Sequence, residues 1–128
     1  MMTITRINPE SLHTSPAFSQ GILVEGGRTL YIGGQNGTDR QGEIHGDFAQ
    51  QTEQAARNVM VVVEAAGGGL ADIVKLTVIL VDGQDLLAGY QASMKVLAGY
   101  AGTITGLRVA GLGRPEALVE IEGIAHLS

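Results

Sequence analysis

The segment Ile73–Val81 constrains the fold more than any other part of the chain, because an extended strand of this sequence carries apolar side chains on both sides. These are Val74, Leu76, Val78 and Leu80 on one side, and Ile73, Ile79 and Val81 on the other. A strand with two apolar sides is covered above and below in the folded protein. We therefore predict that this segment is the central strand of a sheet.

Two other segments have the spacing of amphipathic helices. The first is predicted to begin at Asp47 and to end at the three glycines of residues 67–69. Its apolar stripe is Phe48, Thr52, Ala55, Val59, Val62 and Ala66. The second is predicted to begin after Asp85 and to end near Gly99. Its stripe is Leu86 or Leu87, followed by Tyr90, Met94 and Leu97.

The remaining apolar runs predict strands. Gly21–Glu25 and residues 29–32 flank Gly26 and Gly27, a pair that suits a tight hairpin. Residues 33–46 read as a loop, and residues 103–112 and 117–126 as two closing strands around a turn. The predicted order of strands, helix, strand, helix and strands indicates an α+β fold. Two helices cover one face of a sheet, so we expect the other face to be buried by association.

Composition narrows the class of protein. A chain of 128 residues with 45% hydrophobic and 16% charged residues is the size of one globular domain. The absence of cysteine excludes disulfides and thiolate chemistry. A net charge of −5 argues against binding nucleic acid. No apolar stretch reaches the ~20 residues of a membrane span, so we expect a cytoplasmic protein without membrane contacts.

The run from Val119 to Ala125 places Glu120 and Glu122 on one face of a strand and Val119 and Ile121 on the other. Two carboxylates on one side repel each other, and acidic residues are depleted in strands. This face is therefore either simply solvated or part of a ligand site.

Several short motifs follow one another in a characteristic order: Ser19 and Gln20, Gly34 and Gln35, the helical residues 51–58, residues 72–78, and Glu-Ile-Glu at residues 120–122. From about residue 15 to residue 125 the chain resembles the RidA (YjgF) family of reactive-intermediate deaminases, also described as endoribonuclease L-PSP-like. The resemblance implies one RidA-like domain over residues 1–128 with the α+β chorismate-mutase-like fold. In that fold two helices pack on one face of a mixed sheet, and three copies form a homotrimer with a central barrel and a ligand cleft between subunits.

The resemblance also implies site residues. Glu120 matches the family glutamate that helps to position a water, and it is the candidate catalytic residue. Gly33, Gly34 and Gln35 match a segment that offers backbone hydrogen-bonding groups to the cleft, although a plain bend at a strand end would have the same sequence. The other matched substrate-binding positions are Phe18, which replaces a common tyrosine, Ser19, and Tyr90 on the second helix.

The family arginine that pairs with a substrate carboxylate is missing. Ile104 stands at its position, and an isoleucine cannot bind an anion. Arg108 is the obvious substitute. Strand parity puts it on the same side as Ile104 but about 13 Å away. We therefore consider three roles for Arg108: a cross-strand ion pair with Glu120, a ligand contact, or an exposed charge.

The resulting functional hypothesis is a hydrolytic deaminase of enamines or imines. Its substrate is expected to differ from the standard 2-iminocarboxylate, because a buried unpaired carboxylate is unfavourable by several kcal/mol. We expect no cofactor, and the scattered His13, His45 and His126 predict no metal site. The alternatives are a non-catalytic small-molecule binder or regulator on the same trimeric fold and, third, an endoribonuclease.

Overall fold

The computed structural model describes residues 2–128. Its strands are β1 (Thr3–Ile7), β2 (Gly21–Glu25), β3 (Arg28–Gln35), β4 (Ile73–Val81), β5 (Thr103–Val109) and β6 (Val119–Leu127). Its helices are α1 (Phe48–Ala65) and α2 (Leu86–Leu97), and a single 3₁₀ turn, Leu70–Asp72, precedes β4. The predicted α+β order is confirmed.

The main sheet has four strands in the order β3-β6-β4-β5. Strand β4 pairs with β6 in antiparallel and with β5 in parallel orientation, so the sheet is mixed and β4 has a partner on each side. Its bounds agree with the predicted central strand. The prediction of a central strand is confirmed.

Helices α1 and α2 lie on one face of the main sheet. The side chains of Leu76, Leu80, Val119 and Ile121 form this helix-covered face, and each is at most 2% exposed. They pack with Val59 and Val63 of α1 in one apolar cluster. Burial of these side chains supplies most of the favourable free energy of folding, because each large apolar side chain that is fully buried contributes about 1.5–3 kcal/mol.

The other face, here called the open face, carries Tyr31, Ile79, Leu107, Glu120 and Glu122. The side chain of Tyr31 is 76% exposed and that of Leu107 is 47% exposed. Within residues 2–128, no helix or strand packs over the open face as the two helices pack over the opposite face.

Helix α1 begins where the sequence predicts. The Asp47 side chain accepts a hydrogen bond from the Gln50 amide, and the Gln50 side chain accepts one from the Asp47 amide, both at 2.9 Å. This reciprocal capping box satisfies two backbone donors at the helix start. The predicted stripe is correct at Phe48, Thr52, Ala55 and Val59, but the buried valine of the last turns is Val63 and not Val62.

Helix α2 also begins at its predicted cap, with the Leu87 amide donating to Asp85 at 3.0 Å. Its predicted stripe is partly wrong, because Leu86, Leu87 and Tyr90 are between 47% and 62% exposed. The buried residues are instead Gly89, Ala92 and Leu97. A β-carbon at Gly89 would lie 2.8 Å from the Phe48 ring, so this small residue lets the two helices approach closely and sets which side of α2 is inside.

The predicted hairpin between the second and third strands is not formed. Gly26 and Gly27 have the expected positive φ angles of 68° and 74°, but β2 pairs with β1 in a separate two-stranded ribbon and β3 pairs with β6. The carbonyl of Gly26 hydrogen-bonds to the His126 ring, which ties this connection to the end of β6. The two glycines therefore link two sheets, and strand β1 was not predicted from the sequence.

A second correction concerns the start of β4. The register is irregular between Ile73 and Lys75, so Ile73 lies opposite Ala125. Ile73 is 2% exposed and joins the core, whereas parity alone assigned it to the other side. The extra residue of such a bulge changes the face on which the preceding side chains lie.

No helix within residues 2–128 combines the length and the apolar composition that a membrane crossing requires.

An exposed ion-pair network connects the two helices. The Glu53 carboxylate of α1 accepts from Arg57 at 2.7 Å and lies 3.5 Å from the Lys95 ammonium of α2. The hydrogen bond from Arg57 holds the pKa of Glu53 below its usual value of 4.5. Because this pKa is depressed in the folded state, the stability it contributes is present above pH 4.5 and is lost as the pH falls through the folded-state pKa.

We expect Glu53→Gln to reduce the fall in Tm between about pH 6 and about pH 3. The matched control is Glu64→Gln, on the same helix, since Glu64 forms no ion pair within residues 2–128. Thermal unfolding followed by circular dichroism measures the effect. Equal pH profiles for wild type and Glu53→Gln would contradict it.

Candidate functional site

Glu120 lies on β6, on the open face, directly opposite Ile79 of β4. Its side chain is half-buried, and its Oε1 atom accepts a hydrogen bond from Asn36 Nδ2 at 3.3 Å. The same amide nitrogen donates to the Val119 carbonyl at 3.1 Å. Asn36 is therefore fixed to the β6 backbone as well as to the carboxylate, and it restricts the orientation of Glu120.

Gly34 makes room for this carboxylate. A β-carbon at Gly34 would lie 2.7 Å from both Cδ and Oε2 of Glu120, so any other residue at this position would force the carboxylate to move. The pairing of β3 with β6 is irregular between Ile32 and Gln35, which exposes the backbone at Gly33 and Gly34. Oε2 thus lies against the bare backbone of β3 at Gly34.

Helix α1 positions Asn36. The Asn58 side-chain amide donates to the carbonyls of Asn36 and Thr38 at 3.1 and 3.0 Å. Its Oδ1 atom accepts from Gln54 at 2.9 Å, which orients the Asn58 amide. A chain of hydrogen bonds consequently runs from the surface of α1 through Asn58 and Asn36 to Glu120.

Gln51 of the same helix fixes the other side of the site. It is 3% exposed, and its Oε1 atom accepts from the Leu118 amide at 2.9 Å, two residues before Glu120. Its Nε2 atom donates to the carbonyls of Gly46 and Glu116. No sequence motif singled out Asn36, Gln51 or Asn58 as site residues. The available signal was the presence of two polar residues, Gln51 and Asn58, seven positions apart on the inward side of the predicted helix. Because buried polar groups are nearly always hydrogen-bonded, both side chains could be expected to have partners.

Phe18 and Ser19 form a second group at the start of β5. The Ser19 amide donates to the Gly102 carbonyl at 2.9 Å and its hydroxyl donates to the Ala101 carbonyl at 2.5 Å. The Phe18 ring packs edge-on against His13, with ring centroids 6.1 Å apart. Ser19 is 4% exposed, so its hydroxyl serves to attach this loop to the strand.

Ile104 and Arg108 lie opposite Leu76 and Leu80 in the pairing of β5 with β4. They therefore project toward the helix side of the sheet, whereas Glu120 is on the open face. The cross-strand pair of Arg108 with Glu120 is wrong, because β4 separates β5 from β6. Arg108 Nη1 instead donates to the Gln84 carbonyl at 3.1 Å, in the connection before α2.

The predicted site residues thus fall into separate places in one chain. Gly33, Gly34 and Gln35 adjoin Glu120, and the Gln35 side chain donates to the Gly33 carbonyl at 3.1 Å. Phe18 and Ser19 adjoin β5, the strand that carries Ile104. Arg108 lies further along the same strand as an exposed residue. Tyr90 is 47% exposed on α2. Within residues 2–128 no three His, Asp or Glu side chains converge in a way that could hold a metal ion.

The endoribonuclease L-PSP family model matches residues 9–127. A solved structure from the conserved Rid protein family of Yersinia pestis superposes with a TM-score of 0.86 at 31% identity, covering 97% of this chain and 98% of that one. The chain belongs to the RidA (YjgF) family.

Two curated relatives agree with this membership. A RutC family protein of Pyrococcus horikoshii is 39% identical over 114 residues, which cover 85% of this RidA-family chain and 86% of the relative. A rat protein named 2-iminobutanoate/2-iminopropanoate deaminase is 33% identical over 111 residues, covering 85% of this chain and 79% of the relative. The predicted family and its fold class are confirmed.

Proposed function

We propose that this RidA-family chain hydrolyses small enamines or imines that carry no carboxylate, with release of ammonia. The observation that carries the proposal is the Glu120 carboxylate, which Asn36 orients and which lies against the bare backbone of Gly34. A carboxylate held in this way can bind a water molecule and remove its proton as the water attacks a carbon.

The reaction balances without a cofactor. Water adds to the C=N carbon while Glu120 accepts one of its protons. Glu120 returns that proton to the substrate nitrogen, which gives a carbinolamine. Glu120 then transfers the hydroxyl proton to the same nitrogen as the carbon–nitrogen bond breaks, and a carbonyl compound and ammonia are formed. The exposed backbone of Gly33 and Gly34 offers hydrogen-bonding groups beside the carboxylate, where the water or the leaving nitrogen would be held.

The absence of a carboxylate in the substrate follows from Ile104. The rat relative is named for 2-imino acids, whose carboxylate is best recognised by a guanidinium fork. Ile104 stands where the family carries that arginine, and Arg108 is directed to the Gln84 carbonyl. A substrate carboxylate beside Ile104 would be desolvated without a partner, which favours an uncharged imine.

We also propose that the functional unit is a homotrimer. Within one chain Glu120 and Ile104 lie on opposite faces of the sheet, so a cleft that contains both takes them from different copies. The open face, with Tyr31 and Leu107 exposed, supplies the apolar area for association. At about 25 cal/mol per Å² a few hundred Å² of such surface favours assembly by several kcal/mol before entropic terms.

The test compares two imines generated in place by oxidases, the neutral imine of propan-2-amine and 2-iminopropanoate from alanine. Wild type is expected to accelerate ammonia release from the neutral imine only. Ile104→Arg should raise the rate with 2-iminopropanoate by at least about tenfold, as expected for a new ion pair. Val61→Arg, which adds the same charge at a position of α1 that is 63% exposed and away from the open face, is the matched control.

Two outcomes would overturn the proposal. Equal wild-type rates with both imines would show that the carboxylate is accommodated in another way. No acceleration with either imine, together with tight binding of a metabolite, would indicate a non-catalytic binder. Degradation of RNA by protein freed of contaminating nuclease would support the third alternative, although the net charge of −5 opposes it.

A further inference from the structure

We propose that a recess beneath the N-terminal ribbon binds a small aliphatic carboxylate, with Arg6 as its anion partner. The recess has a volume of about 650 Å³ and lies between the ribbon and the end of the main sheet where β4 and β5 begin. Its lining includes Ile4, Arg6, Ile22, Leu70, Ile73 and Gly102. It shares no residue with the group around Glu120.

The ribbon forms the roof of the recess. Strands β1 and β2 pair so that Arg6 lies opposite Ile22, and Ile4 is on the same side as Arg6. This side is turned toward the body of the protein, since Ile4 and Ile22 are half-buried. Leu23, on the outer side of the ribbon, is 52% exposed. The ribbon therefore presents two aliphatic side chains and one guanidinium to the recess.

The floor of the recess is apolar and partly bare backbone. Leu70 and Ala71 come from the 3₁₀ turn, and Ile73 from the first residue of β4. Gly99 and Gly102, in the connection before β5, present main chain without side chains. Ligand sites in proteins typically have volumes of about 300–1,000 Å³ with mainly apolar walls. The size and the walls suit a short alkyl chain.

The positive charge of Arg6 indicates that the other end of the ligand is an anion. Arg6 is the one ionisable side chain of the lining, and its guanidinium has no hydrogen bond or ion pair within residues 2–128. The neighbouring carboxylate of Asp72 accepts from the Gly69 amide at 2.8 Å and forms no ion pair with Arg6. A guanidinium at the rim of an apolar recess matches a carboxylate in shape and charge, and the alkyl chain then fills the interior.

The test is an NMR titration of the protein, as it assembles in solution, with hexanoate and with hexan-1-ol. Hexanoate should cause saturable shifts in the amides of Ile4, Ile22 and Ala71, and hexan-1-ol should bind at least about tenfold more weakly. Arg6→Gln should weaken hexanoate binding by about the same factor. Ala71→Phe, at an exposed position of the lining, should block the recess and abolish the shifts.

Two control variants test whether hexanoate binding is specific to this recess. Arg40→Gln removes an exposed arginine elsewhere and should leave hexanoate binding unchanged. Glu120→Gln should also leave it unchanged, because no residue of the lining belongs to the group around Glu120. Hexanoate binding that survives Arg6→Gln, or that depends on Glu120, would overturn the inference. An absence of saturable shifts would do the same.

Discussion

Glu120→Gln is expected to lower the rate of ammonia release from the neutral imine by at least about 100-fold, the usual effect of removing a general base. Glutamine has nearly the same shape, and its side-chain oxygen can still accept from Asn36, so the fold and the binding of substrate are retained. It cannot accept a proton from water. The expected change is therefore in kcat with little change in KM, measured by an ammonia assay under saturating imine.

Glu122→Gln is the matched control for this substitution. Glu122 lies two residues further along β6 on the same open face, is exposed, and forms no ion pair within residues 2–128. It should retain activity close to wild type, and both variants should unfold at the wild-type temperature. A similar loss in both variants would point to the general charge of this face, and full activity in Glu120→Gln would remove Glu120 from the reaction.

Gly37→Ala is expected to lower the free energy of unfolding by about 2–3 kcal/mol, which is at the upper end for overpacking by one methyl group. A β-carbon at this buried position would lie 2.6 Å from the Gln51 carbonyl oxygen and 2.7 Å from the Gln51 Cα. Both atoms belong to the backbone of α1, so no side-chain rotation relieves the clash. The helix or the segment after β3 must move. Urea denaturation followed by circular dichroism measures the loss.

The control for Gly37→Ala is Gly111→Ala, since a β-carbon at Gly111 meets nothing within 4 Å and its φ angle is not positive. Its urea midpoint should be within experimental error of wild type. Gly37→Ala should also reduce ammonia release, because residue 37 directly follows Asn36, which orients Glu120. Coincident urea midpoints for the two variants would show that the close approach of α1 is not required.

The parts of the fold that were predicted correctly depend on local chemistry. Asp47 and Asp85 are helix caps because their side chains accept from amides two or three residues ahead, an interaction contained in a few neighbouring residues. The inward side of α2 was not predictable from hydrophobicity, since it is set by the contact of Gly89 with Phe48 of another helix. Nor was the pairing of β2 with β1, because strand partners are chosen by the whole assembly of elements.

The candidate site divides in the same way. Glu120 could be singled out because its alternation with Val119 and Ile121 assigns it to a face of a strand without knowledge of its neighbours. Its partner Asn36 is 84 residues away in the sequence, so no local pattern joins them. The suggested pair with Arg108 failed for the same reason, since it required a strand order that the sequence does not reveal.

Helix α1 combines two tasks. Val59 is in the apolar core. On the same helix, Gln51 holds the backbone at Leu118, two residues before Glu120, and Asn58 holds the backbone of Asn36, the hydrogen-bond partner of Glu120. The reactivity of this carboxylate can therefore be tuned from the interior of the protein. Evolution could alter how fast the chain works, or on what, by exchanging residues that no ligand ever touches, and comparisons confined to the cleft would overlook such changes.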